Sequence, residues 1–228
     1  MATKGPLDGI KVLDLSWILS GPFATMTLSD LGATVVKVER PPYGDLGRTT
    51  RPIIDGESGY FFSVNRGKKS ISIDLKTTEG KQIFLDLVKE FDVIVENFTP
   101  GVMDKIGLSY QEISAVNEKI IYAAISGYGQ TGPWKDRPAL DVIAQGSGGI
   151  LSVTGVDGGP PIRPGTSLGD IGGGIYCVIG VLSAVIERNR SGKGQYIDIS
   201  MMDCQIAIQE NAFMRWHLTN EEPKKLGT

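Results

Sequence analysis

The sequence contains very little histidine and cysteine, and it lacks the motifs in which these residues bind zinc or act as nucleophiles. His217 is the only histidine, and Cys177 and Cys204 are the only cysteines, among 228 residues. No CxxC, HExxH or histidine cluster occurs, which argues against a zinc site and against a Ser-His-Asp hydrolase. Both cysteines lie in apolar stretches, so we expect buried, reduced thiols rather than a disulfide or a metal pair.

The chain also lacks basic runs and apolar segments of membrane-spanning length. It has 23 lysines and arginines against 26 acidic residues, and no basic run exceeds two residues. Neither nucleic acid nor a membrane is therefore an expected partner. The N-terminus shows no signal-peptide pattern, and the uncharged run from Ile171 to Ile186 is shorter than the ~20 residues that a membrane span needs. We expect a cytoplasmic protein in which this run is a buried helix.

Strand-like and helix-like stretches alternate along the chain. This alternation is typical of βαβ units and predicts an α/β fold, a Rossmann-like and mostly parallel sheet with helices on both faces. The predicted strands are residues 10–16, 34–40, 70–75, 92–97, 120–126 and 195–200.

Helix signals fall between these strands. A capping box at Ser109 and Glu112 predicts a short helix, and Thr77 or Thr78 caps another that ends near Phe91. We expect one continuous helix from Met201 to Leu218. The segments 41–59 and 146–169 are rich in glycine, proline and aspartate, which favours loops and turns.

The turn after the first strand, "LSWILSGP", contains no GxGxxG, so the dinucleotide fingerprint is absent. Glu39 and Arg40 end the second strand, where a dinucleotide fold uses an acid for a ribose hydroxyl and an arginine for a ribose phosphate. Surface charge is the plainer interpretation of this pair. If Arg40 does contact a nucleotide phosphate, coenzyme A suits it better than NAD, because CoA carries a 3′-phosphate and a pyrophosphate.

Asp170 stands immediately before the uncharged run. One interpretation is a helix N-cap, for which aspartate is among the preferred residues. The other is chemical: the amides of Ile171 to Gly174 and the helix dipole would favour a carboxylate and would stabilise an oxyanion beside it. An ionised aspartate without side-chain partners could then act as a nucleophile.

Several separated motifs, in the same order along residues 6–227, resemble the class III CoA-transferases, the family of formyl-CoA, carnitine-CoA and succinyl-CoA transferases. These motifs are "PLDGIKVLDLS", "GPFATMTLSDLGATVVKVERP", "FFSVNRGKKSISIDLK", "DVIVENFTPGVMDKIGL", "ISGYGQTGPWKDRPALDVIAQGSGG" and "LGDIGGG…RNRSGKGQYIDISMMD".

The resemblance implies a function and a catalytic residue. Asp170 matches the family's nucleophile, which attacks an acyl-CoA thioester to form a mixed anhydride and then an aspartyl-CoA thioester. The substrates would be an acyl-CoA and a carboxylic acid, with no metal and no tightly bound cofactor. The identity of the acyl group and of the acceptor stays open.

The resemblance also implies a set of CoA contacts. Leu19 and Ser20 stand where formyl-CoA transferase has Gln and Ala, which argues against a formyl or oxalyl substrate, and Lys105 stands where it has Arg. The implied contacts are Leu19, Ser20, Arg40, Ile73, Lys76, Asn97, Phe98, Lys105 and Arg137.

Two other functions remain open. The 2-methylacyl-CoA racemases of the same family carry a histidine before the aspartate of "ALDVIAQ", where this chain has Leu140 before Asp141. Because a racemase needs a general base at that place, transfer is favoured over racemisation. A non-catalytic CoA-binding function is the second alternative.

Chains of the resembled family are roughly twice as long as this one. The resemblance implies that residues 1–218 form the large CoA-binding domain and that residues 219–228 begin a linker to a small domain absent from this chain. It also implies an interlocked homodimer, or a partner that supplies the small domain.

Overall fold

The computed structural model describes residues 5–225 and residue 227, and its centre is a six-stranded parallel sheet. The strands of this sheet are β1 (Lys11–Asp14), β2 (Thr34–Glu39), β5 (Lys69–Ser72), β6 (Val93–Glu96), β7 (Ile121–Ser126) and β8 (Tyr196–Ser200), and β3 (Ile53–Ile54) pairs with β4 (Glu57–Ser58) in a separate hairpin. Their order across the sheet is β5-β2-β1-β6-β7-β8, and every neighbouring pair is parallel. The predicted α/β fold is confirmed.

Helices cover both faces of the sheet. They are α1 (Ser20–Asp30), α2 (Gly59–Asn65), α3 (Thr78–Val88), α4 (Val102–Lys105), α5 (Tyr110–Val116), α6 (Asp141–Ser147), α7 (Ile150–Val153), α8 (Leu168–Ser191), α9 (Met201–Ala207) and α10 (Ala212–Thr219). The capping box that was predicted for α5 is present, with both of its hydrogen bonds.

Alternation along the strands explains why there are two cores. Val12 and Val93 face the side covered by α1 and α8, while their neighbours Leu13 and Ile94 face the side covered by α3 and α5. All four side chains are fully buried. A parallel strand that is apolar on both faces needs helices on both faces, and this sequence supplies them.

Helix α8 is the longest element and begins earlier than the sequence indicated. It starts at Leu168 with Ser167 as its N-cap residue, so Asp170 is its third residue and the predicted N-cap role of Asp170 is wrong. Arg188 and Arg190 lie in its last turn, and Gly192 ends it in the left-handed conformation.

Helix α8 satisfies the length and composition of a membrane-spanning helix, with 24 residues and a mean hydropathy of 1.7 over its most apolar window. Core helices of soluble proteins satisfy the same test. Cys177, Val181 and Ala184 bury one face of α8 in the core against the sheet. The two cysteines are free and buried, as predicted.

Three segments differ from expectation. The predicted loop 41–59 contains a 3₁₀ turn (Leu46–Thr49) and the β3–β4 hairpin, and α7 lies within the predicted turn region 146–169. The predicted helix from Met201 to Leu218 is broken into α9 and α10. At the break, the buried side chain of Gln209 donates to the carbonyl oxygens of Gly148 and Gln205, which holds the chain in a turn.

The strand order places a crevice beside β1. Successive crossovers run from β1 outward in one direction to β2 and β5, and in the other to β6, β7 and β8. At such a reversal, the loops leaving the carboxyl ends of the two central strands diverge, and ligands of open α/β sheets bind between them. Here those loops begin at Leu15 and Asn97.

Candidate active site

The turn that follows β1 is held rigidly across the crevice. The Asn97 Oδ1 accepts from the Trp17 amide at 2.8 Å, and its Nδ2 donates to the Trp17 carbonyl at 2.9 Å and to the Ser20 Oγ at 3.0 Å. Ile18 has a φ of 63°, which is rare for a β-branched residue. Its amide donates to the Asp45 Oδ1 at 3.1 Å. Asn97 therefore acts as a clamp on the turn that carries Leu19 and Ser20.

A buried ionic cluster lies directly beneath this turn. The Lys37 ammonium donates to the Ser16 carbonyl at 2.6 Å and lies 2.9 Å from the Asp45 Oδ2. The Asp14 Oδ2 accepts from the Lys68 Nζ at 2.9 Å and lies 3.8 Å from the Lys37 Nζ. The side chains of Asp14, Lys37 and Lys68 are at most 2% exposed. The cluster fixes the floor of the crevice through charged groups that water does not reach.

An outer cavity of about 220 Å³ opens beside this floor. Its wall includes Ile73, which is buried, and the exposed side chains of Arg40 and Lys76. The Arg40 guanidinium lies 5.8 Å from the centre of the Trp17 ring. Two cations beside an apolar wall suit a ligand with anionic groups attached to an aromatic or aliphatic body.

Glu39 also borders the outer cavity, but its carboxylate is already engaged. It accepts two hydrogen bonds of 2.7 Å from the Arg48 guanidinium, one from the Ser70 hydroxyl and one from the Asp45 amide. Burial alone would raise the pKa of Glu39, but these bonds hold it at about 2. Glu39 therefore stabilises the loop that carries Asp45 and Arg48. Its carboxylate is not free to bind a ribose hydroxyl, the role considered from the sequence.

An inner cavity of about 650 Å³ lies next to the outer one. Trp17, Phe98 and Val102 line both cavities, and the Trp17 and Phe98 rings meet edge to face with their centres 5.5 Å apart. The other residues from the sequence prediction that line the inner cavity are Leu19, Ser20, Asn97, Arg137 and Asp170.

Asp170 enters the inner cavity from the first turn of α8. Within the described part of the chain, its carboxylate accepts no hydrogen bond, and it is only partly exposed. Burial and the nearby charge of Asp141 raise the pKa of Asp170 to about 6, against the lowering effect of Arg163. A partner-free carboxylate with a raised pKa is typical of a reactive group.

One predicted contact lies apart from the rest. Lys105 ends helix α4 with its side chain exposed and lines neither cavity, whereas Val102 and Ile106, on the same turn, line the outer one. The structure thus brings together every predicted site residue except Lys105.

Several residues at the site were missed from the sequence. Asp141 and Arg163 place charge close to Asp170. Tyr60 also lies within the influence of Asp170: burial, and then the charge of Asp170, raise the pKa of Tyr60 to about 12. Lys37 and Asp14 carried a detectable signal, because each is a charged residue within an otherwise apolar strand. Within residues 5–225 and 227, no group of three or more histidine, cysteine or acidic residues could hold a metal ion.

The family assignment comes from comparison of the whole chain with known proteins. The family model described as CoA-transferase family III matches residues 7–228. The chain belongs to this family. The resemblance read from the motifs is therefore confirmed.

Individual members of the family are similar to this chain in sequence and in structure. Acetyl-CoA:oxalate CoA-transferase of Acetobacter aceti is 47% identical over 225 residues, covering 98% of this chain and 58% of the relative. Human succinyl-CoA:glutarate CoA-transferase is 42% identical over 224 residues, covering 98% of this chain and 51% of the relative. A crystal structure described as a CAIB/BAIF family protein from Brucella suis superposes with a TM-score of 0.94 at 43% identity, over 99% of this chain and 61% of that one. The chain thus spans about half to three-fifths of the length of these family members.

Proposed function

We propose that this chain binds acyl-CoA and carries the nucleophile of an enzyme that moves CoA from an acyl-CoA to a carboxylic acid. The observation that carries the proposal is the wall shared by the two cavities. Because Trp17, Phe98 and Val102 border both, one elongated ligand can lie across them with its anionic end at Arg40 and Lys76 and its reactive end at Asp170. CoA thioesters have this distribution of charge and reactivity.

The chemistry assigned to Asp170 proceeds without a metal or an external base. Its carboxylate oxygen attacks the thioester carbonyl carbon, and the carbon–sulfur bond breaks to give a mixed anhydride and CoA thiolate. The thiolate then attacks the aspartyl carbonyl carbon, which releases the donor acid and leaves an aspartyl-CoA thioester. The acceptor carboxylate repeats these two steps in reverse. With a pKa of about 6, Asp170 is ionised at neutral pH and is a stronger base than an ordinary carboxylate.

The acceptor that fits the inner cavity best is a dicarboxylic acid. The two named relatives act on oxalate and glutarate, which are both dicarboxylates. Since Leu19 and Ser20 argue against an oxalyl substrate, we favour a longer dicarboxylate. In this chain the Arg137 guanidinium lines the inner cavity and lies 4.7 Å from the centre of the Trp134 ring, which restricts its orientation. A cation in the same cavity as Asp170 would bind the carboxylate of the acceptor that does not react.

Racemisation fits the site less well. In the described residues no histidine borders either cavity, and His217 is exposed on α10. The residue before Asp141 is Leu140, whose side chain is 76% exposed and cannot exchange a proton. A racemase needs groups that remove and return the α-proton on both faces of the carbon. Asp141 and Asp170 both line the inner cavity, but both oxygens of Asp141 already accept hydrogen bonds, which leaves Asp170 to serve both faces.

The remaining parts of the proposal concern the whole protein. We assign residues 1–218 to a CoA-binding large domain and residues 219–228 to the start of a linker, with a cytoplasmic location. The working assembly would be a homodimer, or a pair with a partner that carries a small domain. Helix α10 exposes Phe213, Met214 and Trp216, which supports a further protein surface against it.

The proposed binding of the CoA nucleotide in the outer cavity is tested by replacing Arg40 and Lys76. Arg40→Ala and Lys76→Ala are each expected to weaken CoA binding about fivefold to tenfold, because each removes one exposed charge contact to phosphate. Isothermal titration with CoA measures the effect. Lys89→Ala is the matched control, since Lys89 is an exposed lysine that pairs with Asp86 and lines neither cavity, so its loss should leave the dissociation constant unchanged.

Titration with dephospho-CoA sharpens this experiment. If Arg40 contacts the 3′-phosphate, Arg40→Ala loses its effect with dephospho-CoA while Lys76→Ala keeps it. Wild-type affinity for CoA in both variants would contradict the placement of the nucleotide in the outer cavity.

A further inference from the structure

The first turn of α8 is capped by a side chain from a different helix. The N-cap residue Ser167 makes no side-chain capping bond. Instead, the Asp141 Oδ1 accepts from the Gly169 amide at 2.9 Å and from the Asp170 amide at 3.3 Å. These are the second and third amides of the helix, the ones to which an N-cap side chain normally bonds. Asp141, at the start of α6, therefore replaces the missing cap.

The second oxygen of Asp141 is held just as firmly. The Asp141 Oδ2 accepts from the Gln145 Nε2 at 2.8 Å and from the Arg163 guanidinium at 3.0 Å. Asp141 is 9% exposed and Gln145 is fully buried. With both oxygens bonded, the carboxylate has no freedom to rotate away from the α8 amides.

Gly169 gives this contact a steric requirement. A Cβ atom at residue 169 would lie 2.8 Å from the Asp141 carbonyl oxygen and 3.0 Å from its Oδ1. Any larger residue would push α6 and its carboxylate away from the turn. The glycine of the Gly169-Asp170 pair is thus explained by close approach of Asp141, and the aspartate by the cavity on the other side.

We propose that Asp141 is a positioning residue for Asp170, and that the Arg163 guanidinium controls how strongly the Asp141 charge acts on it. The proposal rests on the proposed function, because it assigns Asp170 as the reacting group. Asp141 fixes the backbone from which the Asp170 side chain enters the inner cavity. It also places a negative charge beside a carboxylate that accepts no hydrogen bond from the described residues, which keeps that carboxylate basic.

The charged and titratable groups around Asp170 determine the direction in which each substitution shifts its pKa. Asp141 on α6 raises the pKa of Asp170 and Arg163 lowers it, while burial accounts for the largest part of the increase. Tyr60 on α2 also interacts electrostatically with Asp170, but its phenol is neutral at physiological pH. Arg137 lines the same cavity as Asp170. Removing Arg163 should therefore raise the pKa of Asp170, and removing the charge of Asp141 should lower it.

The test compares Arg163→Gln and Asp141→Asn by NMR titration of carboxyl-¹³C aspartate, with the Asp170 signal assigned from Asp170→Asn. Relative to wild type, we expect an upward shift of about half to one pH unit in Arg163→Gln and a downward shift of similar size in Asp141→Asn. Arg190→Gln is the matched control, because Arg190 is an exposed arginine in the last turn of the same helix and should cause no shift.

The acid limb of the pH profile for thioester cleavage provides a second measurement and should move with the NMR value in each variant. An unchanged Asp170 titration in Arg163→Gln would overturn the proposal. That variant loses only a half-exposed side chain, so its fold is not in question even if Asp141→Asn unfolds. Because the titration is made without CoA, shifts in the expected directions with no thioester cleavage would uphold the positioning role and reject the proposed function instead.

Discussion

Replacement of Asp170 by asparagine is expected to reduce the rate of thioester cleavage by about 10⁴-fold to 10⁶-fold, the range seen when a covalent nucleophile is removed from an enzyme. Asparagine has nearly the same shape and occupies the same place in the first turn of α8, but its amide cannot attack a thioester. Release of free CoA thiol from an acyl-CoA under single-turnover conditions measures the effect.

Asp203→Asn is the matched control for this substitution. Asp203 is the third residue of α9, as Asp170 is of α8, and each lies in the first turn of its helix. Loss of its charge should cost at most about 1 kcal/mol of helix stabilisation and leave the rate within a few-fold of wild type. An Asp170→Asn protein that cleaves thioester within tenfold of the wild-type rate would remove Asp170 from the mechanism.

Replacement of Asp14 by alanine is expected to lower the free energy of unfolding by about 3–5 kcal/mol, the cost of leaving a buried charge without its partner. The side chain of Asp14 is fully buried and that of Lys68 is 2% exposed. Burial alone would raise the pKa of Asp14, but Lys37 and Lys68 lower it well below its ordinary value. Without Asp14, two ammonium groups would remain in the core with a single carboxylate, Asp45, nearby.

Urea denaturation at pH 7 measures this loss, with Asp86→Ala as the control. Asp86 pairs with Lys89 on the surface, where both side chains are more than half exposed, and its loss should leave the free energy of unfolding nearly unchanged. Because the pKa of Asp14 is lowered on folding, its contribution is present above its ordinary pKa and is lost as the pH falls. A loss in Asp14→Ala no larger than in Asp86→Ala would show that the ionic floor does not stabilise the fold.

The sheet could be predicted because its signals are local. Strands β1, β2, β6 and β7 carry short, largely buried apolar runs, whereas the edge strands β5 and β8 are mostly exposed or half-buried. The helices between the strands are bounded by residues such as Thr77 and Ser109, which do cap α3 and α5. The strand bounds differ by a few residues because the pattern of apolar residues continues past the last ladder hydrogen bond, as it does after β5.

The errors concern contacts between residues distant in sequence. The position of Asp170 before an apolar run favours an N-cap as one interpretation, but the side chain that caps α8 is Asp141, 29 residues earlier. In the same way the amides of Ile171 to Gly174 were expected to serve a carboxylate, although the Ile171 amide already donates to the Ser167 carbonyl within the helix. No local pattern indicates that the first residue of α6 lies beside the first turn of α8.

The site residues also divide into those with a sequence motif and those defined by contacts between distant parts of the chain. Arg40, Lys76 and Asp170 are associated with their roles through motifs of the resembled family, and the structure places them on the walls of two adjoining cavities. The Asp14–Lys37–Lys68 cluster and the Asp141–Arg163 pair have no such motif. Their importance follows from burial and from partners on other elements, which only the folded chain brings together.

The central claim, that Asp170 becomes covalently attached to CoA, is tested most directly by intact-protein mass spectrometry after mixing with a panel of acyl-CoAs. We expect a CoA or acyl adduct that hydroxylamine removes, that Asp170→Asn lacks and that Asp203→Asn retains. An adduct that persists in Asp170→Asn, or saturable CoA binding with no adduct in the wild-type chain, would contradict the account.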